Sequence, residues 1–216
     1  MSSRRPAVAL CAAGLFAPVA VVSVRVGIAL GVPAASATPT PPVEAHISHA
    51  AQIAGPPPGH TGGFGEPTCA TCHIGAPLNE PGSTLQVLGL EGGYRPGQRH
   101  PVTIRFESFD MLSAGFQASF RFQEGARRGT GAGESRPLDD RVTVVRGEDG
   151  DTEYVQHTRA GTEPADGVAE WTFEWRAPET ETPVALHVAA NSGSGDDSPL
   201  DDLVYTLSIT YRPAAR

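Results

Sequence analysis

From Thr84 to the end of the chain, apolar residues recur at alternate positions. Leu85/Val87 begin the series, followed by Val102/Ile104/Phe106, Phe116/Ala118/Phe120/Phe122 and Val142/Val144. Trp171/Phe173/Trp175, Val184/Leu186/Val188/Ala190 and Leu203/Tyr205/Leu207/Ile209/Tyr211 complete it. A period of two puts each set on one face of an extended strand and turns Gln117, Ser119 and Arg121 the other way. Gly92-Gly93, Pro96-Gly97, Gly147 to Gly150, Ala177-Pro178 and the Gly193 to Pro199 stretch interrupt the runs with turn chemistry. No sustained helical stripe occurs in this region. Short alternating strands at this spacing predict an all-β, antiparallel, Ig-like β-sandwich over residues 61–213, with Trp171, Trp175 and the Phe residues at its centre.

Residues 1–37 are of another kind. Arg4 and Arg5 are followed by an apolar stretch from Ala7 to Val24, then Arg25, then a second apolar run to Val32. Ala35-Ser36-Ala37 before Thr38-Pro39 completes the pattern of an export signal with its cleavage site. A retained membrane anchor is the competing reading, but Arg25, Pro6, Pro18 and Pro33 interrupt the span of about 20 apolar residues that it needs. Ser3-Arg4-Arg5 only faintly resembles a twin-arginine signal, and Leu10 before Cys11 is not the small residue of a lipoprotein site. The expected protein is exported, periplasmic or at the cell surface, with no stable membrane span after cleavage. Residues 38–60, rich in Pro, Gly and Ala, read as a flexible linker in which His46, His49 and His60 are solvated.

Every one of the 16 basic residues is Arg, against 24 acidic ones, for a net charge of −8. Losing residues 1–37 removes three Arg and no acid, which takes the charge to −11. That sign excludes a nucleic-acid or anionic-membrane surface and favours a basic protein partner. The acidic groups Asp139-Asp140, Glu148-Asp149-Asp151, Asp196-Asp197 and Asp201-Asp202 have no EF-hand spacing and read as solvated turns. No HExxH, phosphate loop or Ser/His/Asp order is present, so a hydrolase or nucleotide enzyme has no support.

Chemistry concentrates in Cys69-Ala70-Thr71-Cys72-His73, whose Cys-x-x-Cys-His spacing is that of c-type haem attachment. Two thiols so spaced can each form a thioether with a porphyrin vinyl group, and the adjacent His73 then reaches the iron as axial ligand. Covalent haem c on Cys69 and Cys72 suits an exported chain and predicts an electron-transfer or redox-sensing module that works with a redox partner protein. For the sixth iron ligand the candidates are His157, Met111 and then His60, whereas His100 and His187 read as structural. Three other arrangements use the same cysteines. A Cys69–Cys72 disulfide would make the chain a non-enzymatic extracellular interaction or adhesion domain. A zinc site would need further His or carboxylate ligands, and a thioredoxin-like pair would need a βαβ context.

The stretch from Gly62-Gly63-Phe64-Gly65-Glu66-Pro67-Thr68 into the cysteine motif resembles the opening of the bacterial Reelin-domain-like, choice-of-anchor V proteins. Tyr94-Arg95-Pro96-Gly97-Gln98, Gly115-Phe116-Gln117 and Tyr154-Val155-Gln156-His157 match in the same order. Trp171-Thr172-Phe173-Glu174-Trp175-Arg176-Ala177-Pro178 and Ala189-Ala190-Asn191 complete the series, which covers about residues 60–211. The resemblance implies an exported Reelin-type β-sandwich, and it implies a structural role for His157, because Reelin-type domains without the cysteine motif also carry a His before the Trp strand. Family members often end in a C-terminal surface anchor, whereas this sequence closes on Tyr211-Arg212-Pro213-Ala214-Ala215-Arg216 with no apolar tail.

Overall fold

The computed structural model describes residues 54–215, so the expected export signal and most of the expected linker lie outside the described residues. Among the described residues nine strands form two sheets. β1 (Ser83–Leu88), β2 (Arg99–Ser108), β7 (Val168–Arg176) and β4 (Glu134–Pro137) make one sheet, in the order β1-β2-β7-β4. β5 (Val142–Arg146), β6 (Glu153–His157), β3 (Ser113–Phe122), β8 (Val184–Gly193) and β9 (Leu203–Tyr211) make the other, in the order β5-β6-β3-β8-β9. Every strand pair is antiparallel. Among the described residues no helix is long and apolar enough to cross a membrane.

Alternation creates the core. Val102, Ile104 and Phe106 of β2 and Trp171, Phe173 and Trp175 of β7 are fully buried, and they pack against Phe116, Phe120 and Phe122 of β3 and Leu186 and Val188 of β8. The sheets are joined by ring stacking: Phe116 on Trp171 with centroids 4.5 Å apart, and Phe120 on Trp175 at 4.1 Å and 9° between planes. Phe106 meets Tyr205 of β9 at 5.2 Å. Both indole N–H groups are satisfied inside the core, Trp171 donating to Gly161 O at 2.8 Å and Trp175 to Ala132 O at 2.9 Å. Buried aromatic rings combine a large apolar area with a polar edge that needs such a partner. The all-β antiparallel sandwich expected from the alternation is therefore the observed fold.

Two strands carried no such signal. β4 is a short exposed edge strand, Glu-Ser-Arg-Pro, with no apolar residue. β6 is buried almost throughout, so its sequence does not alternate.

The outer face of the five-stranded sheet is covered too. Gln117, Ser119 and Arg121 of β3 and Gln156 of β6 point away from the core yet are all buried. Residues 54–73 lie across them. Gln117 Nε2 donates to Pro57 O at 2.9 Å, and its Oε1 accepts the His60 N–H at 2.6 Å. The last part of the expected linker is thus hydrogen-bonded to β3. Further along, Phe64 sits edge-on to His187 of β8 at 5.2 Å, with Arg121 and Arg128 over its ring. Glu66 anchors this segment: its carboxylate accepts from Thr61 Oγ1 at 2.6 Å and also from Arg121 and Tyr154. Arg121 and Glu66 keep only 8 % and 14 % of their side-chain surface, so water screens the ion pair weakly.

Candidate functional site

Covering the sheet brings the cysteine motif to one end of the sandwich. Thr68 caps a short 3-10 turn over Cys69–Thr71, its Oγ1 accepting the Ala70 N–H at 3.2 Å. The turn continues for one more step, because both the Cys72 and the His73 N–H groups donate to Cys69 O, at 3.1 and 2.9 Å. Positions i, i+3 and i+4 of a helical turn share a face. Cys69, Cys72 and His73 accordingly all line one cleft of about 330 Å³, within the ~300–1,000 Å³ range usual for small-molecule sites.

The two thiols differ. Cys69 is 9 % exposed and packs with Ala189 of β8 and Val204 of β9. Burial pushes its thiol up to about 12, with the neighbouring Cys72 adding to the rise. Cys72 is half-buried, and both are free thiols, so the disulfide of the alternative reading is not formed. His73 retains some exposure, and its Nδ1 lies 2.5 Å from Oδ2 of Asp202, itself 3 % exposed. The reading of Asp201-Asp202 as a solvated turn is therefore corrected: Asp201 is exposed, but Asp202 points inward at His73.

His157 and His60 line the same cleft, between apolar walls that include Pro56, Pro57, Leu112 and Phe116. His157 is 6 % exposed, and its Nδ1 accepts the Phe116 N–H at 3.0 Å. His60 approaches Pro57 O through Nδ1 at 3.0 Å. Met111 is elsewhere: it is 3 % exposed, packed in the sandwich core, and not part of the cleft lining. His100 accepts the Arg95 N–H at 3.1 Å, and His187 lies under Gly63 and Phe64. Among the described residues no three His, Cys, Asp or Glu side chains converge as around a metal ion, so the zinc arrangement has no ligand set there. Asp202 is the site residue that sequence reading missed. Its neighbourhood signals only a charged turn, and nothing local announces a partner 129 positions away.

No family model matches the chain, and no curated protein matches it. Among solved structures it is similar to the Reelin-N domain of F-spondin, with 15% identity, 68% of this chain and 96% of that one covered, and a TM-score of 0.45. The human F-spondin reeler domain matches at 17% identity over 64% of this chain and 95% of that one, TM-score 0.43. A cohesin module from a Clostridium perfringens family 33 glycoside hydrolase follows at 14% identity, with 62% and 97% covered and a TM-score of 0.42. The likeness is one of fold.

Proposed function

We propose that this chain is an exported protein carrying one covalently attached haem, an electron-transfer or redox-sensing module on a Reelin-like β-sandwich. The observation that carries this reading is the single turn that directs Cys69, Cys72 and His73 into one cleft. The donor set suits the group. Cys69 and Cys72 would hold the group, each thiol S–H adding across one vinyl double bond, so that no atom would be lost and the mass would rise by that of one haem. His73, whose Nδ1 is engaged by Asp202, would offer Nε2 to the iron. When bound, haem supplies a one-electron ferric/ferrous couple. Pro56, Pro57, Leu112 and Phe116 give the cleft apolar walls against which such a group would be partly shielded from water. Of the sixth-ligand candidates, His157 and His60 share this cleft, whereas Met111 lies in the core. The net charge of −8, or −11 without residues 1–37, favours a basic redox partner.

The test is the mass and visible spectrum of the protein from an exporting host with c-type haem maturation machinery. A mass gain of one haem that survives denaturation, with a reduced c-type spectrum, is the expected result. A colourless product beside a control cytochrome that matures in the same cells would overturn the reading and leave an extracellular interaction domain.

A further inference from the structure

His73 and Asp202 are 129 positions apart in the sequence, yet the backbone locks their approach. Ile74 N–H donates to Pro199 O and Asp201 N–H to Ile74 O, both at 2.7 Å, which stitches the residue after His73 to the loop that carries Asp202. Gly75 lies so close that a Cβ there would stand 2.1 Å from Asp202 O. Only glycine allows that approach, so the two loops are in register by construction.

Asp202 brings an unusual carboxylate to this junction. It is 3 % exposed, Oδ2 meets His73 Nδ1 at 2.5 Å, and Oδ1 is buried with no hydrogen-bond partner among the described residues. A buried carboxylate is ordinarily shared among several donors, which dilutes its charge. Here the imidazole N–H is the donor that Asp202 meets, and the carboxylate charge is directed along that one contact. A ring held this way carries its hydrogen on Nδ1 and keeps the Nε2 lone pair for a ligand, and a carboxylate partner makes that nitrogen the stronger donor.

We propose that Asp202 is a positioning residue that fixes His73 in the Nδ1–H tautomer and strengthens Nε2 as a donor, so that iron bound there has a lowered reduction potential. The half concerning iron rests on the haem reading; the half concerning the tautomer does not. The tautomer is read in full-length protein made without haem maturation machinery, by ¹⁵N-resolved spectra of the imidazoles. His73 is expected as the Nδ1–H form in wild type, shifted toward Nε2–H in Asp202→Ala and restored in Asp202→Glu. An Nε2–H form in wild type, which needs no variant to observe, would overturn the proposal. The potential is read in the haem-loaded protein, where the electrode supplies the one electron that takes ferric to ferrous iron. Asp202→Asn is expected to shift that equilibrium about tenfold toward ferrous, a rise of about 59 mV for one electron. An unchanged potential would overturn the half concerning iron. Colourless wild-type protein beside a matured control would overturn the haem reading and that half with it, and the tautomer spectra would still decide the role of Asp202.

Discussion

Gly63 rests directly on the imidazole of His187. A Cβ at position 63 would stand 2.5 Å from Cγ and 2.6 Å from Cδ2 of that ring, far inside van der Waals contact. The residue that lets segment 54–73 lie flat on the sheet is therefore the absence of a side chain. Gly63→Ala is expected to cost about 1–3 kcal/mol, the usual range for overpacking, measured by urea denaturation. Adding His187→Ala should recover much of that loss, since the clash is between these two groups. Strict additivity in the double variant would show that the strain lies elsewhere.

The same histidine makes the domain acid-sensitive. Burial lowers the proton affinity of His187 below its ordinary value of 6.5, with the Arg121 charge acting in the same direction and Glu66 against it. In the unfolded chain the ring binds its proton at the ordinary value, so between the two values the unfolded state holds more protons. The stabilisation is thus fully present above about pH 6.5 and is lost as pH falls through the folded-state value. Thermal midpoints measured from pH 7 down to pH 5 should fall less steeply in His187→Gln than in wild type. Parallel curves would assign the acid sensitivity to other groups.

Glu66 is the pin of the covering segment. Glu66→Ala leaves the Arg121 guanidinium buried without its anion and Tyr154 without its acceptor. Removing one member of a buried ion pair costs about 3–5 kcal/mol. The expected variant is folded at the Trp171–Phe116 and Trp175–Phe120 stacks, with native tryptophan fluorescence, but loosened over residues 54–73. Hydrogen exchange resolves the two regions. Uniform exchange across both would contradict local release.

The two thiols should react at different rates. Iodoacetamide at pH 8 should modify Cys72, which is half-buried at the cleft, and spare Cys69, which is 9 % exposed and whose thiol is pushed up to about 12. Peptide mass spectrometry of haem-free protein reads this out, with urea-unfolded chain as the reference in which the difference should vanish. Equal labelling of the folded protein would mean that Cys69 is not under β8 and β9. Glu66→Ala should speed the labelling of Cys69 if the segment lifts as a unit.

How far these features could be read in advance depended on where each residue's partner lies. The core strands announce themselves because one face is apolar and the other polar, as in Val102/Ile104/Phe106 against Thr103 and Arg105. β6 does not, because Tyr154 and Gln156 are buried under the covering segment on the face opposite Val155. Gln117, Ser119 and Arg121 were legible as an opposite face, but nothing local shows that the face is covered rather than wet. The cysteine motif was legible as spacing alone, since one helical turn carries all three side chains. Asp202 was not, because its role exists only when the turn at Ile74 meets the loop at Pro199.

Cys69 packs beneath Val204 on β9, which is synthesised after every other strand of the described residues. Any covalent change at that sulfur must be finished before β9 is laid down, or must wait for the domain to reopen. Synthesis from the N-terminus gives the thiol a head start of more than a hundred residues over the strand that covers it. Pairing of β9 with β8 thus closes the interval in which the Cys69 thiol is open to modification.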